Sequence, residues 1–153
     1  MFVDASALCS VLLDEADATH YAQAIRKEDK PVTSAVAIFE TVLASARAAD
    51  GDVGAARREV DGFLHLAGVT VMDIGEDELA RALDAFDRFG KGRHPARLNM
   101  GDCFAYALAR DLGEPLLFKG DDFGLTDIEL VTTPLKHKRL SEVIASYSRV
   151  ATG

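Results

Sequence analysis

The sequence predicts an α/β fold, a three-layer α/β/α sandwich around a short, mainly parallel sheet. Short apolar strands recur along the chain, helical periodicities separate them, and acidic residues follow two of the strands. A chain of 153 residues that is 48% apolar and 27% charged has the length and composition of one domain with a substantial core.

The amino-terminal part supplies two predicted strands and three predicted helices. Phe2–Val3 is the first strand, and residues 30–32 mark a break and a second strand of two or three residues. Thr33 or Ser34 offers an N-cap for the helix that follows it. The helices are predicted over 5–13, which is apolar almost all round, over 18–27 and over 35–49.

The middle of the chain also alternates between predicted helices and strands. A predicted helix over 53–67 ends at Gly68, and the β-branched run 69–72 predicts a strand. Another helix opens at 75–78. The residues expected to face the core from this helix are Leu79, Leu83, Phe86 and Phe89.

The carboxyl-terminal part contains one more helix and the last strands. The helix opens within 98–109, a strand is predicted within 114–118, and 128–131 is predicted as an edge strand. Residues 132–153 form an extension that we expect to be helical and packed on the same domain. Its apolar residues at helical spacing are Leu140, Val143, Ile144 and Tyr147.

Charge and cysteine usage exclude several classes of protein. The formal net charge of -8 means that a nucleic acid must meet a local basic patch or a bound cation. Cys9 and Cys103 have no second Cys or His at a ligand spacing, so we expect reduced thiols in a cytoplasmic protein. We expect no membrane span and no signal peptide, because no apolar stretch is long enough and the first residues lack a basic region.

Two carboxylates lie within apolar helical patterns. The residues three and four positions from Asp102 include no cation, and the same holds for Glu40. A buried carboxylate without a partner is costly, so Asp102 requires a capping role, a proton or a metal ion. For Glu40 the alternatives are an edge position in contact with water, an arginine from elsewhere, or a shared ligand.

Acids also follow two predicted strands. Asp4 stands between the first strand and the first helix, where it either caps that helix or faces the ligand-binding edge of the sheet. Asp121 and Asp122 follow the strand predicted within 114–118 in the same way. One shared ligand is the simplest explanation for all these acids, and carboxylates without Cys or His favour Mg²⁺ or Mn²⁺ over zinc.

Four acidic segments therefore occur in order along the chain. They are VDASAL at 3–8, AIFETV at 37–42, LNMGDCFAYALA at 98–109 and PLLFKGDDF at 115–123. Together they resemble the motifs of PIN-domain ribonucleases, and in particular the VapC-type toxins of bacterial toxin-antitoxin pairs. The resemblance runs to about Val131 and implies a PIN-like nuclease domain over 1–131. It also implies a magnesium- or manganese-dependent endoribonuclease, commonly a homodimer, that a VapB-type antitoxin inhibits.

The same resemblance assigns roles to individual residues. The metal-binding and catalytic acids are Asp4, Glu40, Asp102 and Asp122, and Asp121 shares or replaces the role of the last. Ser6 matches a small hydroxyl residue that supports the site, and Asn99 caps its helix or orients Asp102. We expect one or two divalent ions to activate the water that cleaves RNA.

A local basic patch precedes the helix of Asp102. Lys91, Arg93 and Arg97 lie in one loop, and together with Lys119 they are candidates for holding the RNA backbone. Their charge would offset the repulsion between RNA and an acidic protein.

Three other functions compete with RNA cleavage. A phosphatase of the haloacid-dehalogenase type needs a second acid at the position of Ser6, and a Rossmann-type dehydrogenase needs a Gly-x-Gly-x-x-Gly after the first strand. A PIN-fold module that docks an antitoxin or RNA without cleavage stays open as the alternative, although the presence of all four acids disfavours it.

Overall fold

Four short strands form a parallel sheet in the computed structural model, which describes residues 1–131. They are β1 (Phe2–Val3), β2 (Val32–Ser34), β3 (Thr70–Met72) and β4 (Leu116–Leu117). The strands are arranged in the order β3-β2-β1-β4, and each neighbouring pair is parallel. The α/β class predicted from the sequence is confirmed.

Helices cover both faces of this sheet. They are α1 (Ala5–Leu12), α2 (Ala18–Lys27), α3 (Ala35–Ala48), α4 (Val53–Ala67), α5 (Glu76–Phe89) and α6 (Met100–Leu112), and a 3₁₀ helix follows at Asp122–Leu125. Side chains alternate across β1, so Val3 packs with α1 to α4 in one apolar cluster while Phe2 packs with α5 and α6 in another. The result is the expected three-layer sandwich.

The parallel sheet brings the acidic segments to one edge. Because all strands point the same way, the residues that follow β1, β2 and β4 lie at the carboxyl edge of the sheet. Helices α1 and α3 therefore begin at this edge. The backbone N–H of Asp4 donates to the carbonyl of Leu117 (3.0 Å), which joins the ends of β1 and β4 there.

The apolar stripe predicted for α5 is largely exposed. Leu79, Leu83 and Phe86 are 46%, 61% and 37% exposed, and of the predicted residues only Phe89 lies in the core. Helix α5 instead packs through the small residues Ala82 and Ala85, whose size allows a close approach to the neighbouring helix. The prediction that the whole stripe faces the core is therefore wrong.

The exposed residues of this stripe line an apolar groove of about 290 Å³ between α5 and α6. Its lining from α6 comprises Met100, Cys103 and Phe104. In the described part of the chain, the large aliphatic side chains that line this groove are exposed to solvent.

The chain after the 3₁₀ helix pairs with β4 more weakly than a full strand would. Leu130 forms an isolated parallel bridge with Leu116, whose N–H donates to the carbonyl of Glu129 (2.8 Å). The predicted edge strand is thus reduced to a bridge. The predicted helical extension 132–153 lies outside the described residues. None of the helices within residues 1–131 combines the length and apolar character that crossing a membrane requires.

Candidate active site

Asp4 is buried at the carboxyl end of β1, with only 4% of its surface exposed. Its Oδ2 accepts hydrogen bonds from the Ser6 N–H (2.9 Å) and the Ser6 hydroxyl (2.5 Å), and it caps α1. Burial raises the pKa of Asp4 above its usual range, although the Ser6 hydrogen bonds act in the opposite direction. The predicted cap is therefore confirmed, and the capping residue lies at the carboxyl edge of the sheet.

Glu40 is half-buried on α3, and its carboxylate lies against Gly101 of α6. A Cβ atom at position 101 would lie 2.6 Å from Glu40 Cδ and overlap both carboxylate oxygens. Only glycine leaves this space. Gly101 is not among the site residues predicted from the sequence, although a glycine beside Asp102 in the first turn of an apolar helix is a usable signal.

Asp102 and Asn99 form a reciprocal cap at the start of α6. The Asn99 N–H donates to Asp102 Oδ2 (2.8 Å), and the Asp102 N–H donates to Asn99 Oδ1 (3.0 Å). Burial raises the pKa of Asp102 to about 6, and the charges of Asp4 and Asp122 add to this effect against the Asn99 hydrogen bond. The carboxylate is thus oriented by its helix and destabilised by its neighbours.

Asp121 and Asp122 are both exposed after β4. Only Asp122 is among the charges that raise the pKa of Asp102. Phe123, the next residue, is buried in the core and anchors this segment.

The four principal acids form one connected electrostatic group. Burial raises the pKa of Glu40, and repulsion from Asp4 and Asp102 raises it further. Within residues 1–131 none of the four acids forms an ion pair. In the same part of the chain, no group of three His, Cys, Asp or Glu side chains is arranged so that it could hold a metal ion. The all-oxygen donor set nevertheless matches the preference of Mg²⁺ and Mn²⁺.

The raised pKa values predict how stability depends on pH. Asp102 titrates near 6 in the fold against an ordinary value of 3.8, so the folded protein binds the proton more tightly than the unfolded chain. The contribution of Asp102 to the free energy of unfolding therefore rises as the pH falls from 7 to 5, and Asp4 and Glu40 act in the same direction. Acids whose pKa is lowered by their partners, such as Asp17, also stabilise the fold. They lose this stabilising effect only when the pH falls to their ordinary pKa or below it.

We therefore expect the metal-free protein to melt a few degrees higher at pH 5 than at pH 7. Thermal unfolding followed by circular dichroism in EDTA measures the difference, which Asp102→Asn should reduce. A melting temperature that rises from pH 5 to pH 7 would contradict the electrostatic description of the site.

The structure separates the four basic candidates into two kinds. Lys91 and Arg97 are exposed in the loop before α6 and form no ion pair within residues 1–131. Arg93 pairs with Asp87 (2.6 Å). Lys119 contacts two acids between α1 and α2.

Comparison with known proteins agrees with this geometry. The family model described as PIN domain matches residues 1–129, a span that contains all four acidic segments. The chain belongs to the PIN-domain family. It is 42% identical to Ribonuclease VapC30 of Mycobacterium tuberculosis over 134 residues, which are 88% of this chain and 100% of that protein.

Other relatives place this PIN domain in the VapC group. It is 42% identical to Ribonuclease VapC of Mycolicibacterium smegmatis, over 86% of this chain and 99% of the relative. A VapC ribonuclease of Rhizobium meliloti is 37% identical over 83% of this chain and 98% of the relative. The PIN model ends at residue 129, so the extension 132–153 lies beyond the part of the chain that it matches.

Proposed function

We propose that this VapC-type PIN domain is a divalent-metal-dependent endoribonuclease, the toxin of a type II toxin-antitoxin system. One observation carries the proposal: acids from four separate segments act on one another at the carboxyl edge of the sheet. The pKa of Glu40 is raised by burial and by the charges of Asp4 and Asp102, and the pKa of Asp102 is raised by burial and by the charges of Asp4 and Asp122. They do so without a cation partner among the described residues. An arrangement that costs stability at neutral pH is typical of a functional site.

Asp4, Glu40, Asp102 and Asp122 would hold the cation. When bound, Mg²⁺ or Mn²⁺ lowers the pKa of water and neutralises charge on the scissile phosphate. The protein's own contribution is orientation. Ser6 fixes one oxygen of Asp4, the Asn99 N–H fixes Oδ2 of Asp102, and both acids keep their second oxygen free of the hydrogen bonds described above.

Lys91 and Arg97 are the residues that we propose to hold the RNA backbone. Their side chains are exposed beside the start of α6 and are not engaged by acids within residues 1–131. Phosphate contacts of this kind position a substrate without reading its sequence.

We further propose that this protein acts in the cytoplasm. Its proposed partners are a VapB-type antitoxin and a second copy of this chain. The names of the relatives support the first. The apolar groove between α5 and α6 supports the second, because large exposed apolar surfaces of monomers mark interaction sites. In a two-fold dimer the same patch of each chain would lie in the interface.

The experiment that tests the proposal is cleavage of a labelled RNA with Mg²⁺ or Mn²⁺ and with EDTA. We expect product only with the metal, and we expect excess metal to restore cleavage after chelation. A module that only binds RNA or an antitoxin gives no product in either condition. Equal cleavage in EDTA would overturn the metal dependence.

A further inference from the structure

Lys119 joins the segment after β4 to the turn between α1 and α2. Its Nζ lies 2.5 Å from Glu15 Oε2 and 2.7 Å from Asp17 Oδ1. Asp17 Oδ1 also accepts a hydrogen bond (2.7 Å) from the hydroxyl of Ser10, which is fully buried on α1. Burial raises the pKa of Asp17, but the hydrogen bonds from Lys119 and Ser10 outweigh it and leave that pKa below its usual range.

The backbone of Lys119 makes a second contact with α1. Its N–H donates to the Ser6 hydroxyl (2.9 Å), and that hydroxyl donates to Asp4 (2.5 Å). Lys119 is thus attached near the start of α1 through its backbone and beyond the end of α1 through its side chain. A single residue connects the buried acid Asp4 to the segment that carries Asp122.

The same contacts argue against a role of Lys119 in holding RNA. Two carboxylates surround one ammonium group, so the cluster carries a net negative charge and repels a phosphate. A phosphate that bound Lys119 would first have to displace Glu15 and Asp17. Lys91 meets no such competition within residues 1–131.

We propose that Lys119 is a positioning residue of the active site rather than an RNA contact. With Glu15 and Asp17 it fixes the segment after β4, which holds Asp122 near Asp102 and keeps the Ser6 hydroxyl directed at Asp4. The proposal rests on the nuclease function for its kinetic test, whereas its structural test does not depend on cleavage.

Two variants remove the contact from opposite sides, and both should have the same effect. Lys119→Met and the double variant Glu15→Ala with Asp17→Ala are each expected to lower kcat about tenfold, because small displacements of catalytic groups are costly. KM for RNA should stay unchanged in both. The combined triple variant should be no worse than either, since the groups act as one unit. Lys119→Arg keeps the positive charge and should retain most of the native activity.

Binding to RNA distinguishes the two roles directly. We measure affinity by fluorescence anisotropy in EDTA at several salt concentrations, with Lys91→Met as the matched control. Loss of a phosphate contact lowers the slope of log affinity against log salt by about 0.7 for a single strand. We expect that change for Lys91→Met and not for Lys119→Met. If Lys119 held RNA, Lys119→Met would weaken binding, and the Glu15→Ala, Asp17→Ala variant would strengthen it by freeing the lysine.

Amide hydrogen exchange of the metal-free protein provides the test that needs no cleavage. We expect faster exchange over 118–124 in both Lys119→Met and the double acid variant, and unchanged exchange in Lys91→Met. Unchanged exchange over 118–124 in the first two variants would overturn the proposal. Faster exchange without any cleavage by the native protein would support the positioning contact while refuting the nuclease function.

Discussion

Replacing Asp102 with Asn is expected to lower metal-dependent RNA cleavage by about 100- to 1,000-fold while the fold is kept. The amide oxygen still accepts the Asn99 N–H, so the cap of α6 survives. A neutral amide is a much weaker ligand for a hard cation than a carboxylate. Removal of the charge also relieves repulsion with Asp4 and Asp122, so thermal stability at pH 7 should be equal or higher.

Asp111→Asn is the matched control for this variant. Asp111 lies on the same helix but pairs with Arg81 (3.1 Å), away from the acidic group. We expect cleavage rates close to those of the native protein, with circular dichroism and melting curves recorded for both variants. Full activity of Asp102→Asn, or an equal loss in Asp111→Asn, would refute the assignment of Asp102.

Gly101→Ala is expected to lower cleavage at least tenfold without destabilising the protein. The added Cβ would overlap the Glu40 carboxylate, which is the far end of a flexible side chain and can turn away at little cost. Alanine is also favoured over glycine in a helix by about 1 kcal/mol. Cleavage activity should therefore fall while the melting temperature stays equal or rises, because the substitution displaces the Glu40 carboxylate and leaves the fold intact.

Gly62→Ala provides the control for helix propensity. Gly62 lies in α4, where an added Cβ meets no atom within 4 Å. We expect a similar gain in melting temperature and no loss of cleavage. If Gly101→Ala cleaves RNA at the native rate, the position of Glu40 against Gly101 has no catalytic importance.

Features determined by neighbouring residues could be predicted from the sequence. Asp4 directly follows a strand and precedes a helix, and Asn99 stands three residues before Asp102, the spacing of a capping pair. The start of α3 and the end of α4 could be predicted for the same reason, because Ser34 caps α3 and Gly68 ends α4.

Contacts between distant segments could not be predicted in this way. Lys119 reads as a free cation in the sequence, but its partners Glu15 and Asp17 lie 104 and 102 residues away. The contact of Gly101 with Glu40 likewise depends on how α3 meets α6. Periodicity identified the apolar stripe of α5 but carried no information on whether the core of the same chain covers it.

We propose that the acids of this edge together bind one or two divalent cations. Thermal unfolding at pH 7 during a Mn²⁺ titration tests it most directly, because a ligand that binds only the folded state raises the melting temperature. We predict a saturable rise for the native protein, a much smaller rise for Asp102→Asn, and a native response for Asp111→Asn. An identical rise in all three proteins would contradict the claim.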